Sequence, residues 1–530
     1  DGARRPRDAA IWALSVLAPE RARQVLPPLL AQADIGVLTA ATGGLLSLPG
    51  PEHAAAKQVL GGLLARGVDA PPAERREVAR LIGRLGKPEL ARFLTAYLDD
   101  SDVSVRRVAI EAVGQGKYLA LAPRLLRFLS WRDDRRIARE ALATLGDGAV
   151  PLLAATLDDR SRARSLRLQL PRVLRLIATQ AAFDALLFSN PQDEPAVHYR
   201  VGIALAQLHD EHPELKVDEA QQLAALGRRQ ALSLALLEPY RDCRAALGED
   251  ALLTRVLADR LDQAMELSFW LLGLRHDARG LRRAHALLIG TDSRRRAWAF
   301  ELVDNVLSPE ERELVSHHLE AHHRTLPFGA AARFPQHLDA LCTSNDFILK
   351  ACARAVARRA GRWPAPYRED EMNENVVKRL FALEGVEVFA RSDVDDLAAI
   401  AAVAKEQSFA KGEQVYAEGD PGDALYVIVE GAMEARREGE TVLTMKAKES
   451  FGETSLFDGA PRVNEVIAMA DSRVLVIDRR DFLDLLADRP ELLAGMFRVL
   501  SRQLKSMVVE VASRRSTTGE MAAVGGPPVE

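Results

Sequence analysis

The chain of 530 residues has little of what marks secreted or catalytic proteins. It contains three cysteines, Cys243, Cys342 and Cys352, and none of them forms a CxxC pair. A disulfide framework is therefore excluded, and we expect three reduced, buried thiols. The sequence has no GxxxxGK[ST] loop, no GxSxG turn and no kinase motif set, so we expect neither enzymatic activity nor a bound cofactor. The net charge of −4 gives no electrostatic support for nucleic-acid binding.

Long apolar runs are also missing. The least charged window, residues 35–51, contains two adjacent glycines and two prolines, and it predicts a helix followed by a turn rather than a membrane span. No apolar segment typical of a secretory signal follows Asp1 directly. Hydrophobic residues make up 48% of the chain but aromatic residues only 5%. Because alanine and leucine dominate the apolar set, the composition favours packed helices over sheet.

What the sequence does contain, over its first two thirds, is a series of similar amphipathic helices. Similar segments recur about every 28–32 residues, the spacing of helical repeats. The clearest copies are residues 97–116, 128–148 and 152–170. Their first helices end in aspartates that can cap the next helix, and small residues such as Ala112 and Ala141 permit close helix packing. Since each helix pair buries only one face alone, neighbouring pairs must stack into an α-solenoid.

These segments resemble the HEAT-repeat family, in which a helix and an Asp-containing turn precede a V-R-x-x-A-x-x-A-L-G pattern. The similarity is clear over residues 97–176, and residues 196–208, 293–307 and 346–360 look like diverged copies. The resemblance implies a solenoid that docks a protein partner on its concave face.

Short β-rich segments replace the helical pattern near the C-terminus. Residues 424–431, 441–445 and 472–478 are bounded by Gly, Asp and Pro, and they predict the strands of an antiparallel roll or jelly roll. Helical spacing resumes after Asp478. The predicted fold is therefore mainly α, with an N-terminal solenoid followed by a β-roll that is flanked by helices.

Residues 451–468 contain the chemically most informative motif of the chain. Glu453 stands nine residues before Arg462, with a tight turn between them. A carboxylate can accept a hydrogen bond from a sugar hydroxyl, and a guanidinium can fork onto phosphate oxygens. Backbone N–H groups near Gly452–Ser455 add donors and a favourable dipole for an anion. The motif suits a small ligand that carries both a sugar and a phosphate.

The same segment resembles the phosphate-binding cassette of the cyclic-nucleotide-binding domain family, and the similarity extends from about Val386 to Met507. The resemblance implies cyclic-nucleotide binding, with a helix over roughly residues 490–507 folding over the ligand. The implied ligand-binding residues are Gly452, Glu453, Thr454, Ser455, Arg462 and Val463. In the family, a threonine after the arginine tends to accompany preference for cyclic GMP. Because Val463 has no hydroxyl, cyclic AMP is favoured.

Other readings of these residues stay open. Arg462 could instead pair with Asp458 or Glu465 in a surface salt bridge, and the domain would then be a nucleotide-free interaction module. Glu465 would also oppose an anion unless the strand turns it outward. We do not expect a DNA-binding regulator of the catabolite-activator type, because such a protein needs a helix-turn-helix and only about 20 residues follow Met507 in this sequence.

A further alternative comes from residues 293–307. They resemble the repeat region of bacterial proteins in which a nucleotide-transporter-like membrane domain precedes HEAT repeats and a cyclic-nucleotide-binding domain. Because the chain also lacks an initiator methionine, we expect it to be a piece of a longer protein. It would then be the cytosolic regulatory portion of a membrane transporter, with membrane contact only through a segment before Asp1. We expect it in the cytoplasm, or on the cytoplasmic face of the inner membrane in that case.

A histidine-rich segment near residue 320 needs its own interpretation. His318 and His322 are four residues apart and would share one helix face, a spacing that can hold a transition metal. No obvious third ligand is nearby, so we interpret the segment as a solvated helix face and expect no metal site.

The predicted domains follow from these patterns. Residues 1–360 form the solenoid, residues 361–375 a linker marked by two prolines and a charge run, and residues 376–512 the cyclic-nucleotide-binding domain. The Gly- and Pro-rich tail, 513–530, is predicted to be disordered. The predicted function is that of a non-enzymatic regulatory scaffold that senses a cyclic nucleotide and relays the signal to its solenoid.

Overall fold

The structure, a computed structural model, describes residues 4–190, 194–290, 292–320, 326–362, 371–389, 392–453 and 459–488. Contacts between residues divide the chain into two compact units. The first unit comprises residues 1–232 and 264–322, and the second comprises residues 233–263 and 323–530. These units are defined by contacts, and they differ from the domains predicted from the sequence, whose boundaries lie at residues 360 and 376. The predicted domain boundaries stay a prediction.

Helices joined by short turns make up the described part of the first unit. In chain order these are α1 (Arg4–Leu17), α2 (Pro19–Val25), α3 (Ile35–Leu46), α4 (Glu52–Arg66), α5 (Pro72–Leu85), α6 (Ala91–Leu98), α7 (Val103–Gln115), α8 (Ala122–Leu125), α9 (Arg135–Thr144), α10 (Val150–Asp158), α11 (Arg164–Arg167), α12 (Leu170–Ile177), α13 (Gln180–Phe188), α14 (Pro195–Glu211), α15 (Glu219–Leu247), α16 (Leu252–Leu272), α17 (Ala278–Leu288), α18 (Ser293–Val306) and α19 (Pro309–Glu320). The two divisions between the units fall inside α15 and inside α16.

The predicted repeat is visible in the backbone of this unit. Gly86, Lys117, Gly146 and Ala178, which follow the ends of α5, α7, α9 and α12, all have positive φ. They lie about 30 residues apart, as expected for helical repeats. A left-handed residue ends a helix because it turns the next backbone groups back onto the last free carbonyls. The periodic helix ends confirm the repeats predicted from the sequence.

Close packing between successive repeats depends on small side chains, as predicted. Gly83 in α5 faces the backbone of Ala112, and a Cβ built on Gly83 would lie 2.8 Å from the Cα of Ala112. Gly114 in α7 faces Ala141 in the same way, with a built Cβ 2.8 Å from its Cα and 3.0 Å from its carbonyl oxygen. Ala112 and Ala141 are buried. The neighbouring helices therefore touch backbone to backbone at these positions.

We predict that Gly114→Ala destabilises the first unit by about 1–3 kcal/mol, because the added methyl group meets backbone atoms that cannot rotate away. Gly62→Ala in α4 is the matched control, since a Cβ there meets nothing within 4 Å. The control should stabilise the helix by roughly 0.5–1 kcal/mol. Urea denaturation followed by circular dichroism measures both changes. Equal effects of the same sign would contradict the close approach.

The aspartates of the repeat turns have two different roles. Asp102 caps α7 by accepting hydrogen bonds from the backbone N–H groups of Ser104 and Val105, which confirms the predicted capping at this turn. Asp134 precedes α9 but makes no such cap. Its buried carboxylate instead accepts from Nε of Arg106 at 2.8 Å and Nε of Arg107 at 3.0 Å. The ion pairs of Asp134 with Arg106 and Arg107 therefore connect one repeat to the next.

The described part of the second unit combines helices with two antiparallel sheets. Besides the parts of α15 and α16 that belong to it, its elements are α20 (Phe334–Leu341), α21 (Phe347–Arg359), α22 (Glu371–Leu383), α23 (Val394–Val403), β1 (Lys405–Phe409), β2 (Gln414–Tyr416), β3 (Ala424–Glu430), β4 (Ala432–Arg437), β5 (Glu440–Lys446), β6 (Ser450–Phe451), β7 (Glu465–Ala468), β8 (Ser472–Asp478) and α24 (Arg479–Asp488). Helix α22 begins inside the segment 361–375 that the sequence assigns to a linker.

The strands form two four-stranded sheets, in the orders β1-β8-β3-β6 and β2-β7-β4-β5. All pairs are antiparallel, and Tyr426 in β3 lies opposite Val476 in β8 and Phe451 in β6. Buried side chains of both sheets, including Ile428 and Met433, pack together into one apolar cluster. This confirms the predicted fold class of a helical N-terminal part followed by a β-roll with flanking helices.

A second apolar cluster makes the β-roll continuous with the helices of its own unit. It runs from α15 and α16 through α20, α21, α22 and α23 to α24, and it includes Leu425 and Val427 of β3 and Ile477 of β8. The three cysteines belong to this cluster, where they are free and buried, as predicted. Burial raises the pKa of Cys352 to about 12. These thiols are therefore structural and unreactive.

A buried ion network lies beside this cluster. Arg260 of α16 is 2% exposed, and its Nε is 2.6 Å from a carboxylate oxygen of Asp346. Its Nη1 is 2.5 Å from a carboxylate oxygen of Asp395 in α23, which also accepts from the amide of Gln263 at 3.1 Å. Asp346 in addition caps α21. One guanidinium thus holds helices together that are far apart along the chain.

Two of the predictions made from the sequence concern a membrane span and a metal site. Within the ranges described, no helix combines the length and the apolar character that crossing a bilayer requires. The window 35–51 forms α3 followed by a turn, as predicted. The side chain of His318 and all of His322 lie outside the described residues. Elsewhere in the described chain, no group of three or more His, Cys, Asp or Glu side chains is placed to hold a metal ion.

Candidate functional site

Arg462 lies in the connection between β6 and β7, and the backbone of the β2–β3 turn fixes its position. The N–H of Arg462 donates to the carbonyl oxygen of Asp420 at 2.8 Å, and the carbonyl of Arg462 accepts from the N–H of Gly419 at 2.8 Å. The carboxylate of Asp420 in turn accepts from the N–H of Ala417. This reciprocal pair directs the arginine side chain inward, where it is only 3% exposed.

The guanidinium of Arg462 connects the start of β3 to the residue that follows β6 through their carbonyl groups. Its Nη2 donates to the carbonyl oxygen of Ala424 at 2.7 Å, and its Nη1 to that of Gly452 at 3.3 Å. Gly452 has φ +86°, and a built Cβ would lie 2.6 Å from Nη1 and 3.0 Å from the carbonyl oxygen of Ala424. Only glycine therefore fits here, because a side chain would displace the guanidinium.

Aromatic rings enclose the same guanidinium. Its central carbon lies 4.4 Å from the ring centre of Tyr416 and 5.7 Å from that of Tyr426. Tyr426 and Phe451 stack with their centres 4.9 Å apart, and Tyr416 lies beside both rings. Burial raises the pKa of Tyr416 to about 12, with Arg462 acting in the opposite direction. Both phenols are therefore neutral at physiological pH, and they stabilise the cation through their ring faces.

The charge of Arg462 is incompletely matched. Within the described residues, the one carboxylate within 4 Å is that of Asp423, which is 3.9 Å away and belongs to a side chain that is 77% exposed. Among the described residues, no acceptor forms a hydrogen bond with the buried Nε of Arg462. A buried donor and a buried charge both cost free energy unless a partner compensates them. The site therefore favours an anion that can accept from this guanidinium.

Of the other predicted site residues, the structure describes the side chains of Glu453 and Val463. Glu453 is half-buried and accepts from the hydroxyl of Ser450 at 2.6 Å. The charge of Glu453 raises the pKa of Tyr416 and that of Arg462 lowers it, so both charges lie close to the ring of Tyr416. Val463 is 61% exposed, and its side chain does not fill the site. Thr454 and Ser455 lie outside the described residues.

The structure removes one of the two salt bridges considered for Arg462. The arginine is buried rather than on the surface, and it does not pair with Glu465. The carboxylate of Glu465 accepts from the side-chain amide of Gln414 at 3.0 Å, while its neighbour Val466 is buried. Since successive strand residues face opposite sides, Glu465 is turned outward, and its charge is kept from the interior. The other acid considered, Asp458, lies outside the described residues.

Sequence reasoning missed the aromatic enclosure and the carbonyl of Ala424. Tyr416, Tyr426 and Phe451 fall on three different strands, so no local spacing marks them as neighbours. The available signal was that each aromatic residue stands on a strand close to a glycine; Tyr416 and Phe451 are buried there and Tyr426 is half-buried. The contact of Ala424 is made by its backbone carbonyl group, which every residue has, so the residue type could not indicate it.

Two families match parts of the chain. Residues 406–489 match the family described as a cyclic nucleotide-binding domain, and residues 59–146 match the family described as HEAT repeats. The matches confirm both resemblances inferred from the sequence. The first includes β1 to α24, and the second includes α5, α7 and α9.

Individual proteins are similar to less than a third of the chain. The CRP-like cAMP-activated global transcriptional regulator of Mycobacterium tuberculosis is 36% identical over 130 residues, 22% of this chain and 58% of the regulator. A cAMP-dependent protein kinase regulatory subunit of Hypocrea atroviridis is 33% identical over 152 residues, 29% of this chain and 31% of that protein. The chain thus spans less than two thirds of the length of these relatives. A co-crystal structure of the regulatory domain of Toxoplasma gondii PKA with cAMP is 22% identical, covers 26% of this chain and 52% of that one, and has a TM-score of 0.23.

Proposed function

We propose that this chain, in which HEAT repeats precede a cyclic nucleotide-binding domain, is a non-enzymatic regulator that binds a cyclic nucleotide and relays its binding to the repeats. The observation that carries the proposal is the buried guanidinium of Arg462, whose Nε has no hydrogen-bond partner in the described part of the chain. Bound nucleotide would place its phosphate on Arg462 and a ribose hydroxyl on Glu453, with Gly452, Thr454, Ser455 and Val463 contributing backbone or hydroxyl donors. The protein partner would dock on the repeats.

Cyclic AMP is the proposed ligand. The named relatives support this choice, since one is described as cAMP-activated and another as a subunit of a cAMP-dependent kinase. The exposed Val463 supports it chemically, because it provides no hydroxyl for a guanine.

The proposed relay starts at the contacts of Arg462. A phosphate would compete with the carbonyl oxygen of Ala424 for the guanidinium. Ala424 begins β3, and the next residue, Leu425, belongs to the apolar cluster that also holds α22, α23 and the end of α15. A shift of β3 would therefore change the packing of these helices, and binding would select the arrangement with the higher nucleotide affinity.

A second candidate is a nucleotide-free interaction module. The observation in its favour is that two carbonyl groups of the protein itself accept hydrogen bonds from Arg462. In this case the arginine would only stabilise the loop, and the domain would act through protein partners alone. The alternative of a transporter portion stays a prediction from the resemblance of residues 293–307.

We predict that calorimetric titration of the full chain gives saturable binding of cyclic AMP, with weaker binding of cyclic GMP. The full chain is required because the cluster that holds β3 includes residues as early as Tyr240. Val463→Thr should strengthen cyclic GMP binding by about 2- to 10-fold, the value of one hydrogen bond, and leave cyclic AMP binding unchanged. Because Val463 is exposed, folding is unaffected. Absence of heat with either nucleotide, from a folded sample, would favour the nucleotide-free module.

A further inference from the structure

Three elements of the second unit meet at Glu384, the residue that follows α22. The Nη1 of Arg255 in α16 lies 3.2 Å from a carboxylate oxygen of Glu384, and the two side chains are 30% and 20% exposed. Gly385, the next residue, has φ +83°, the left-handed conformation that closes a helix end. Glu384 is thus an ion-pair partner of α16 at a fixed place behind α22.

Lys448 brings the β-roll to the same carboxylate. It lies in the turn between β5 and β6, where its N–H donates to the carbonyl oxygen of Ile428 at 2.8 Å. The N–H of Ile428 donates in return to the carbonyl oxygen of Glu449 at 2.9 Å. A Cβ built on Gly385 would lie 3.6 Å from Nζ of Lys448. The turn is therefore fastened to the middle of β3, and its ammonium lies against the backbone beside Glu384.

The electrostatics of Glu384 agree with this arrangement. Burial raises the pKa of Glu384, and the charges of Arg255 and Lys448 lower it. Arg359, at the end of α21, also lowers this pKa. Since a cation of the β-roll and a cation of α16 share one carboxylate, a displacement of Lys448 changes the charge that Arg255 experiences.

Helix α16 belongs to both units. It comprises Leu252–Leu272, and the division between the units falls after Gln263. The helix contains no glycine or proline, whereas α15, the other helix with a division inside it, has Pro239 in its interior. Sharp helix kinks occur mostly at such residues. A displacement at Arg255 is therefore passed along α16 rather than absorbed by a kink.

The part of α16 that belongs to the first unit is closely packed. Its Met265 and Phe269 belong to the apolar cluster of that unit. Its Leu267 lies against Gly202 of α14, where a side chain would not fit. Because such interiors have few voids, neighbouring helices must adjust when α16 moves.

We propose that Glu384 is a positioning residue that transmits nucleotide binding from the β-roll to α16, and that α16 carries the change into the first unit with its HEAT repeats. This inference rests on the proposed function. The phosphate would compete with the carbonyl of Ala424 for Arg462, and the resulting shift of β3 would move Lys448. The altered charge beside Glu384 would then change its ion pair with Arg255. Binding and the position of α16 are coupled because the two arrangements differ in nucleotide affinity.

Hydrogen exchange of the full chain, followed by mass spectrometry with and without saturating cyclic AMP, tests the inference. We expect cyclic AMP to change the exchange rate of residues 264–272 by about fivefold or more, the lower range of allosteric couplings. In Glu384→Gln this change should fall below about twofold, while calorimetry should give a cyclic AMP affinity within about fivefold of that of the parent protein. A structural role alone would alter exchange equally with and without the nucleotide.

Further variants assign the effect. Lys448→Met is the second test, because Lys448 is exposed and its replacement leaves the fold intact. Glu384→Asp keeps the charge and should retain part of the response. Glu406→Gln removes a carboxylate that pairs with Arg473 on the surface of the β-roll, and it should respond like the parent protein.

The outcomes separate this inference from the proposed function. Cyclic AMP binding without a change in residues 264–272 overturns the inference alone. A change that persists in both Glu384→Gln and Lys448→Met does the same. Absence of binding by the parent protein overturns the proposed function, and this inference with it.

Discussion

Replacing Arg260 with alanine is expected to lower the free energy of unfolding by about 3–5 kcal/mol, the usual cost of removing one partner of a buried ion pair. The guanidinium is the shared partner of Asp346 and Asp395, and all three side chains are less than 10% exposed. Without it, two carboxylates remain buried next to each other. The same helix turn also holds Asp259, whose pKa burial already raises to about 7. The midpoint of urea denaturation of the full chain measures the loss.

Arg255→Ala is the matched control for this prediction. Arg255 also belongs to α16 and pairs with a carboxylate, that of Glu384, but its side chain is 30% exposed. Water screens such a pair, so its loss should cost less than about 1 kcal/mol. If the variants at 255 and 260 were equally stable, the buried network would contribute nothing beyond a surface contact. Replacing Arg260, Asp346 and Asp395 together with apolar residues should restore much of the stability.

Arg462→Ala is expected to weaken cyclic AMP binding by roughly 10- to 150-fold, which corresponds to the 1.5–3 kcal/mol of a charge-assisted contact. The physical reason is that the variant removes the buried cation of the site. Arg462→Lys should recover only part of the affinity, because an ammonium keeps the charge but cannot form the planar fork. Calorimetric titration of the full chain measures both variants.

A stability measurement must accompany the titration, because Arg462 also holds the carbonyl groups of Ala424 and Gly452. Arg436→Ala on β4 is the control, since Arg436 is 39% exposed and pairs with Glu434 on the surface. It should leave the affinity unchanged. Unaltered cyclic AMP binding by a folded Arg462→Ala variant would contradict the assignment of the phosphate site.

The fold was largely predictable because its signals are local. Residues 424–430 and 472–478 alternate or cluster apolar side chains between turn residues, and they form β3 and β8. The repeats were visible because the same small residues, such as Ala112 and Ala141, recur at the helix contacts. In contrast, Arg260 and Asp395 are 135 residues apart, and nothing near either residue indicates their pairing. The division of the second unit, which takes in part of α15 and α16, depends on such distant contacts.

The candidate site was predictable only in its charged residues. Arg462 and Glu453 follow from a motif with fixed spacing, and both lie close to Tyr416. The burial of Arg462 could not be inferred, since its partner Ala424 is 38 residues away and acts through a backbone carbonyl. The outward direction of Glu465 followed from strand alternation only once the register of β7 was known.

The residues with positive φ that follow the ends of helices in the first unit also limit which insertions and deletions this chain can accept during evolution. Because Gly86, Lys117, Gly146 and Ala178 recur at a nearly constant interval, a gene duplication or deletion of one complete interval leaves each remaining helix facing the same kind of neighbour. An insertion of a single residue inside a helix would instead rotate all later side chains by about 100° and expose the buried face. Inherited variation in this unit is therefore expected as a gain or loss of whole helix pairs.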